Sequence, residues 1–135
     1  MHRHIAAALV AAALPAAAVM AETYVCRVRP DARGAWIPAT LIITYQDETG
    51  EGLVYDEIIK TFFDKPLPAR VKVDNDKRIT FVWTLPEFKV PDGATVLRFD
   101  FRATLLKKSR RIVVHSSPAG FDNEFSGRGR CRLQG

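Results

Sequence analysis

Of the three histidines in the chain, His2 and His4 sit at the extreme start, and His115 alone lies deep in the sequence, followed by Ser116 and Ser117. A histidine beside a serine is the raw material of nucleophilic catalysis. It works only when the base reaches the hydroxyl and a third group orients the base. His115 falls in a β-branched run, and neighbours on a strand point to opposite faces, so His115 and Ser116 diverge. The alternation puts His115 on the outer, polar face as a solvated histidine. Two carboxylate pairs, Asp47–Glu48 and Asp56–Glu57, would suit acid–base work if one member had a raised pKa. Neither lies beside an apolar pocket visible in the sequence, and both are expected to be solvated. Asp47-x-Thr49-x-Glu51 and Asp74-x-Asp76 lack the 12-residue ligand series of a calcium loop. There is no Cys/His cluster for zinc, no phosphate-cradling glycine loop and no nucleotide fingerprint. The expectation is a non-enzyme with no catalytic residue, no metal and no cofactor.

Arginine spacing is the most informative feature. Arg27 and Arg29 share one face of an early strand, and Arg128, Arg130 and Arg132 share one face of the last. If Cys26 and Cys131 meet inside the fold, all five guanidinium groups point outward on adjacent strands, their forks suited to carboxylate, phosphate or sulfate. Arg98, Arg102 and Arg111 make a second cluster, partly neutralised by Asp100. The plain alternative is a solubilising ladder on blunted strands. Gly127-Arg128-Gly129-Arg130 looks like an arginine–glycine element of nucleic-acid binders, but it is a single copy on an expected strand, so nucleic acid is not the expected partner.

The elements that must position these residues are strands. From Thr95 the side chains alternate: Leu97, Phe99, Phe101, Ala103 and Leu105 on one face, Val96, Arg98, Asp100, Arg102 and Thr104 on the other. Lys107 to Arg110 reads as a polar turn, and Arg111 to Ser116 returns antiparallel. Thr23–Arg29, Ile37–Tyr45, Arg70–Val73, Arg78–Leu85 and Gly127–Leu133 read as further strands. Leu53–Lys60 is ambiguous, since Asp56–Phe63 also suits one or two helical turns. Pro66 and Pro68 resist ladder pairing, and Pro91-Asp92-Gly93 is a strong turn. About eight short strands with turns between them imply an all-β antiparallel fold. A small up-and-down barrel is favoured over a two-sheet sandwich, because joining the first and last strands removes the exposed edges. Trp36, Trp83 and most of the eight phenylalanines belong to the core by period. Phe62-Phe63 and Phe121 interrupt polar loops, as exposed contacts or as caps over a barrel end.

Residues 1–21 combine a short basic start at Arg3, an Ala/Leu/Val run from Ile5 to Val19 and a small-residue end at Ala21, the pattern of a cleaved secretory signal. The run is short for a membrane span and no stop-transfer flank follows, so no transmembrane segment is expected after cleavage. Residues 22–135 then form a single β domain, periplasmic or secreted. Its net charge is +4, the 20 basic residues less Arg3 against 15 acidic. The two cysteines, Cys26 and Cys131, lie near its ends. In an oxidising compartment they are expected to pair, and closing so long a loop is worth ~4–5 kcal/mol in the entropic model.

Tyr24-x-Cys26 near the mature start, about eight strands and Cys131-Arg132-Leu133-Gln134 at the end resemble small secreted β proteins of Gram-negative bacteria. The same outline is similar to the periplasmic inhibitors of C-type lysozymes, small barrels with a cysteine near each end. The resemblance implies a layout. The inhibitors' Ser-Gly-x-x-Tyr loop is missing, since Arg128, Gly129 and Arg130 follow Ser126-Gly127, and a cationic chain repels a cationic lysozyme. The leading expectation is a non-enzymatic periplasmic binding domain whose Arg27, Arg29, Arg128, Arg130 and Arg132 meet an anionic partner: a protein, a glycan or a lipid head group. The alternatives are a lysozyme-type inhibitor acting through Phe121 to Phe125, and a small hydrolase or lipocalin-like carrier with its pocket inside the barrel. A carrier's cavity would be lined by Phe81, Trp83, Phe99 and Phe101, side chains that usually fill so small a barrel.

Overall fold

A computed structural model of the chain describes residues 8–13, 21–46 and 48–134. Most of the expected signal segment, and Asp47, lie outside the described residues. Among the described residues, ten strands and one short helix follow in order: β1 (Ala21–Pro30), β2 (Thr40–Gln46), β3 (Glu51–Asp56), α1 (Glu57–Phe62), β4 (Leu67–Asp74), β5 (Arg78–Leu85), β6 (Phe88–Lys89), β7 (Thr95–Val96), β8 (Phe99–Leu106), β9 (Arg111–Pro118) and β10 (Phe125–Gln134). Eight of them close an antiparallel barrel in the order β1-β10-β9-β8-β5-β4-β3-β2. β1 pairs with β2 on one side and β10 on the other, so neither terminal strand is left as an edge. The barrel, and not the sandwich, is the fold.

Period-2 patterning selects the inside. Cys26 and Val28 of β1, Leu41, Ile43 and Tyr45 of β2, Ile79, Phe81, Trp83 and Leu85 of β5, and Phe99, Phe101, Ala103 and Leu105 of β8 are all buried. Phe81, Trp83, Phe99 and Phe101 occupy the space that a carrier would leave open. Trp83 stacks on Phe101 with centroids 5.3 Å apart, and Phe99 lies 5.4 Å from Phe101. Leu133 shares the inward phase but is 42% exposed, at the open end of the barrel beside Tyr24.

The opposite end is plugged. The ambiguous stretch resolves as strand, then helix: β3 runs to Asp56, whose carboxylate accepts the Ile59 amide at 2.8 Å and caps α1. Glu57 accepts the Thr40 amide at 2.8 Å and ties α1 to the start of β2. Phe62 and Phe63 are half-buried, so they cap the barrel instead of forming exposed contacts. Phe62 lies 4.5 Å from Phe88 and 6.1 Å from Trp36, and Phe63 lies 5.8 Å from Phe88. Phe121 is the exception, with 70% of its surface exposed.

The strand read from Thr95 is interrupted. Thr95 and Val96 pair with Lys89 and Phe88 in a separate two-stranded sheet closed by the Pro91-Asp92-Gly93 turn. Leu97 is 67% exposed instead of inward. The barrel strand begins only at Phe99, its phase unchanged, because the nearer partner β6 captures the first residues of the segment.

Cys26 and Cys131 face each other in register and form a disulfide across β1 and β10. Gly129 occupies the next inward position of β10, and a Cβ built there would overlap the Arg27 carbonyl. At Gly127 a Cβ would stand 2.8 Å from Ile37 Cγ2 and 2.9 Å from the Arg29 carbonyl. The Gly-Arg-Gly-Arg run is therefore a consequence of close packing: glycine inward where β1 crowds, arginine outward. Gly129→Ala is expected to lower stability by about 2 kcal/mol or more, through forced strand separation. Cys26→Ser with Cys131→Ser is expected to lower it by about 4 kcal/mol. Denaturant titration of the oxidised chain and both variants checks both figures. An unchanged midpoint in either variant would contradict the seam as described.

Candidate functional site

The seam between β1 and β10 gathers the five arginines picked out by sequence. Arg27 faces Arg130, Arg29 faces Arg128 and Val25 faces Arg132, and all five arginines are exposed. Arg111, assigned by sequence to a second cluster, belongs here: it faces Arg130 on the other side. One row therefore carries Arg27, Arg130 and Arg111 on three neighbouring strands, about 4.8 Å apart in backbone spacing, with the Arg29–Arg128 row about 6.8 Å further along. Among the described residues, none of the six lies within ion-pair distance of a carboxylate. Asp31, close to Arg29 in sequence, accepts the Ser126 hydroxyl at 2.7 Å. Like charges placed directly opposite repel, so this face is electrostatically unsatisfied and suited to oxyanions.

The other two members of the sequence cluster go elsewhere. Arg98 pairs with Asp100 at 3.3 Å, and Asp100 also accepts the Thr84 hydroxyl at 2.9 Å. Arg102 faces His115 across β8 and β9. His115 is outward and half-buried, whereas Ser116 is buried and donates to the Trp36 carbonyl at 2.8 Å. The two point to opposite faces, as the alternation implies, and make no catalytic pair.

Asp56 departs from expectation. It is 5% exposed instead of solvated, and while Oδ1 holds Ile59, Oδ2 is buried without a hydrogen-bond partner. Burial raises its pKa to about 6; the Ile59 and Ile58 amides pull the other way, and the Glu57 charge adds a smaller push upward. The signal was legible: Asp56 continues the inward phase of Val54 and precedes a helical stretch, as an N-cap does. At the open end, Tyr24 donates to Glu22 at 3.0 Å, and the Arg110 guanidinium lies 5.8 Å over the Tyr24 ring. Burial, with Glu22 beside it, pushes the Tyr24 hydroxyl up to about 12.

No family model, curated protein or solved structure matches the chain. Among the described residues there is no cluster of three or more potential metal ligands, and no helix is long and apolar enough to cross a membrane.

Asp56 makes stability depend on pH in a definite direction. The unfolded chain releases this proton near pH 4, while the folded chain holds it to about pH 6. Between those values the unfolded state binds fewer protons, so this group's contribution falls as pH rises and is gone above about pH 6. The loss is on the order of 3 kcal/mol. Asp56→Asn keeps an acceptor for Ile59 but removes the titration. Unfolding measured from pH 4 to 7 should show the variant gaining on the parent by that amount. A difference independent of pH would rule this out.

Proposed function

We propose that this chain is an exported, non-enzymatic binding domain that holds an anionic partner on the face formed by Arg27, Arg29, Arg111, Arg128, Arg130 and Arg132. One observation carries the reading: like-charged guanidinium groups sit directly opposite one another and, among the described residues, none is within ion-pair distance of a carboxylate. A solubilising surface interleaves the two signs of charge, and this one does not. Each guanidinium can engage carboxylate, sulfate or phosphate through parallel N–H donors, and closely spaced rows favour a partner that repeats such groups. The interior packing of Phe81, Trp83, Phe99 and Phe101 favours recognition on the surface over carriage inside. The disulfide suits an oxidising compartment, which supports export.

A second reading rests on Phe121. It is a large apolar side chain, 70% exposed on the loop between β9 and β10. That loop leans on the segment carrying exposed Leu97, since the Ala119 amide donates to the Arg98 carbonyl at 2.8 Å. A protein contact through this tip is the mode expected of a lysozyme-type inhibitor.

Binding of a sulfated polysaccharide and of anionic phospholipid vesicles, at low and high salt, tests the first reading, with pull-down from periplasmic extract alongside. Affinity for at least one probe should fall steeply with salt. It should drop more than about 100-fold in the Arg27→Glu, Arg111→Glu, Arg130→Glu variant, because each charged contact is worth ~1.5 kcal/mol or more. Capture that survives the triple reversal and disappears in Phe121→Asp would replace the arginine reading with the loop reading.

A further inference from the structure

Beyond β9 the outer surface changes character. Outward side chains of β3, β4, β5, β8 and β9 line a groove of about 1070 Å³. The registers lay one continuous row across it: Glu51 faces Arg70, Arg70 faces Val82, Val82 faces Arg102 and Arg102 faces His115. Four inter-strand steps make this row about 19 Å long. In the neighbouring row, Leu53 faces Pro68, and Leu53 is 50% exposed although it is large and apolar.

The charges of the groove are not equivalent. Arg98 is paired with Asp100, and Asp100 is further engaged by Thr84. Arg102 and His115 stand side by side on rigid neighbouring strands, and among the described residues neither is within ion-pair distance of a carboxylate. Glu51 and Glu124 also line the groove, Glu51 at one end of the row. Their charge repels a long polyanion laid across the strands but leaves room for one head group between them. From that position Val82, Pro68 and Leu53 form an apolar track that runs beside Arg70, whose own neighbour in the row is Glu51.

We propose that this groove is a second ligand site, separate from the arginine face, that takes a small amphipathic oxyanion. A carboxylate or phosphate head sits on Arg102 and His115, and an apolar body lies over Val82 toward Pro68 and Leu53. The guanidinium supplies the forked contact and the imidazole a second donor. The exposed leucine gains by burying its apolar surface against the ligand.

The test titrates the exported protein with hexyl phosphate, hexanoate, inorganic phosphate and hexanol, following the His115 ring signals by NMR. Inorganic phosphate separates a phosphate site from an amphiphile site, and hexanol isolates the apolar track. Hexyl phosphate or hexanoate should shift His115 and bind at least about tenfold more tightly than inorganic phosphate or hexanol. Arg102→Gln should weaken the alkyl anion about tenfold or more. Leu53→Ser should weaken the alkyl anions and leave inorganic phosphate unchanged. Arg27→Glu with Arg130→Glu, on the other face, should leave the alkyl anion's affinity within about twofold. The proposal is overturned if neither alkyl anion moves His115, if inorganic phosphate binds as tightly as its hexyl ester, or if Arg102→Gln binds like the parent.

Discussion

The pairing of β1 with β10 is the constraint on which the rest of the molecule depends. It closes the barrel, so each of the other barrel strands finds two partners and the barrel keeps no open edge. The disulfide between Cys26 and Cys131 sits within this ladder and fixes its register. A slip of one residue would turn every side chain of the strand to the other face. The arginines would then enter the core, and Tyr24, Cys26 and Val28 would meet water. The seam therefore decides the fold and its surface charge together.

That seam is also where local energetics are least favourable. Glycines in a strand weaken it by entropy and by the absence of a packing side chain, and facing arginines repel. The crosslink offsets both effects by restricting the unfolded chain, so the costliest charge arrangement stands on the strand pair best able to carry it. Gly127 and Gly129 let the two backbones approach until no Cβ fits between them. The same approach brings Arg27 and Arg29 against Arg130 and Arg128. Close packing inside and crowded charge outside are two faces of one alternation.

Period-2 reasoning made most of this legible. The inward residues of β1, β2, β5 and β8, the pairing of the cysteines and the outward phase of five arginines all follow from alternation plus closure. What escaped it depends on partners that a single strand does not reveal. Leu97 continues an alternation perfectly, yet leaves the barrel because Phe88 and Lys89 pair with the residues before it. Arg98, Arg102 and Arg111 look like one cluster along the chain. Register separates them, giving Arg111 to the seam, Arg98 to Asp100 and Arg102 to His115. Asp56 reads as a solvated carboxylate because it lies in a charged run. The phase of Val54 and the capping of α1 carry it inward instead.

Strand β9 links the two basic surfaces, presenting Arg111 to the seam and His115 to the groove. The two residues are four apart on the same outward face, a separation of about 13 Å along a strand. Near physiological ionic strength the screening length is about 8 Å, so an anion on one surface hardly alters the potential at the other. The barrel between them is closed and its core is packed. On the two proposed sites, anions would therefore bind independently under such conditions, and would influence one another only when salt is low enough for the fields of Arg111 and Arg102 to merge. With charge sorted by strand and by face, the two proposed recognition tasks are separated by distance and screening.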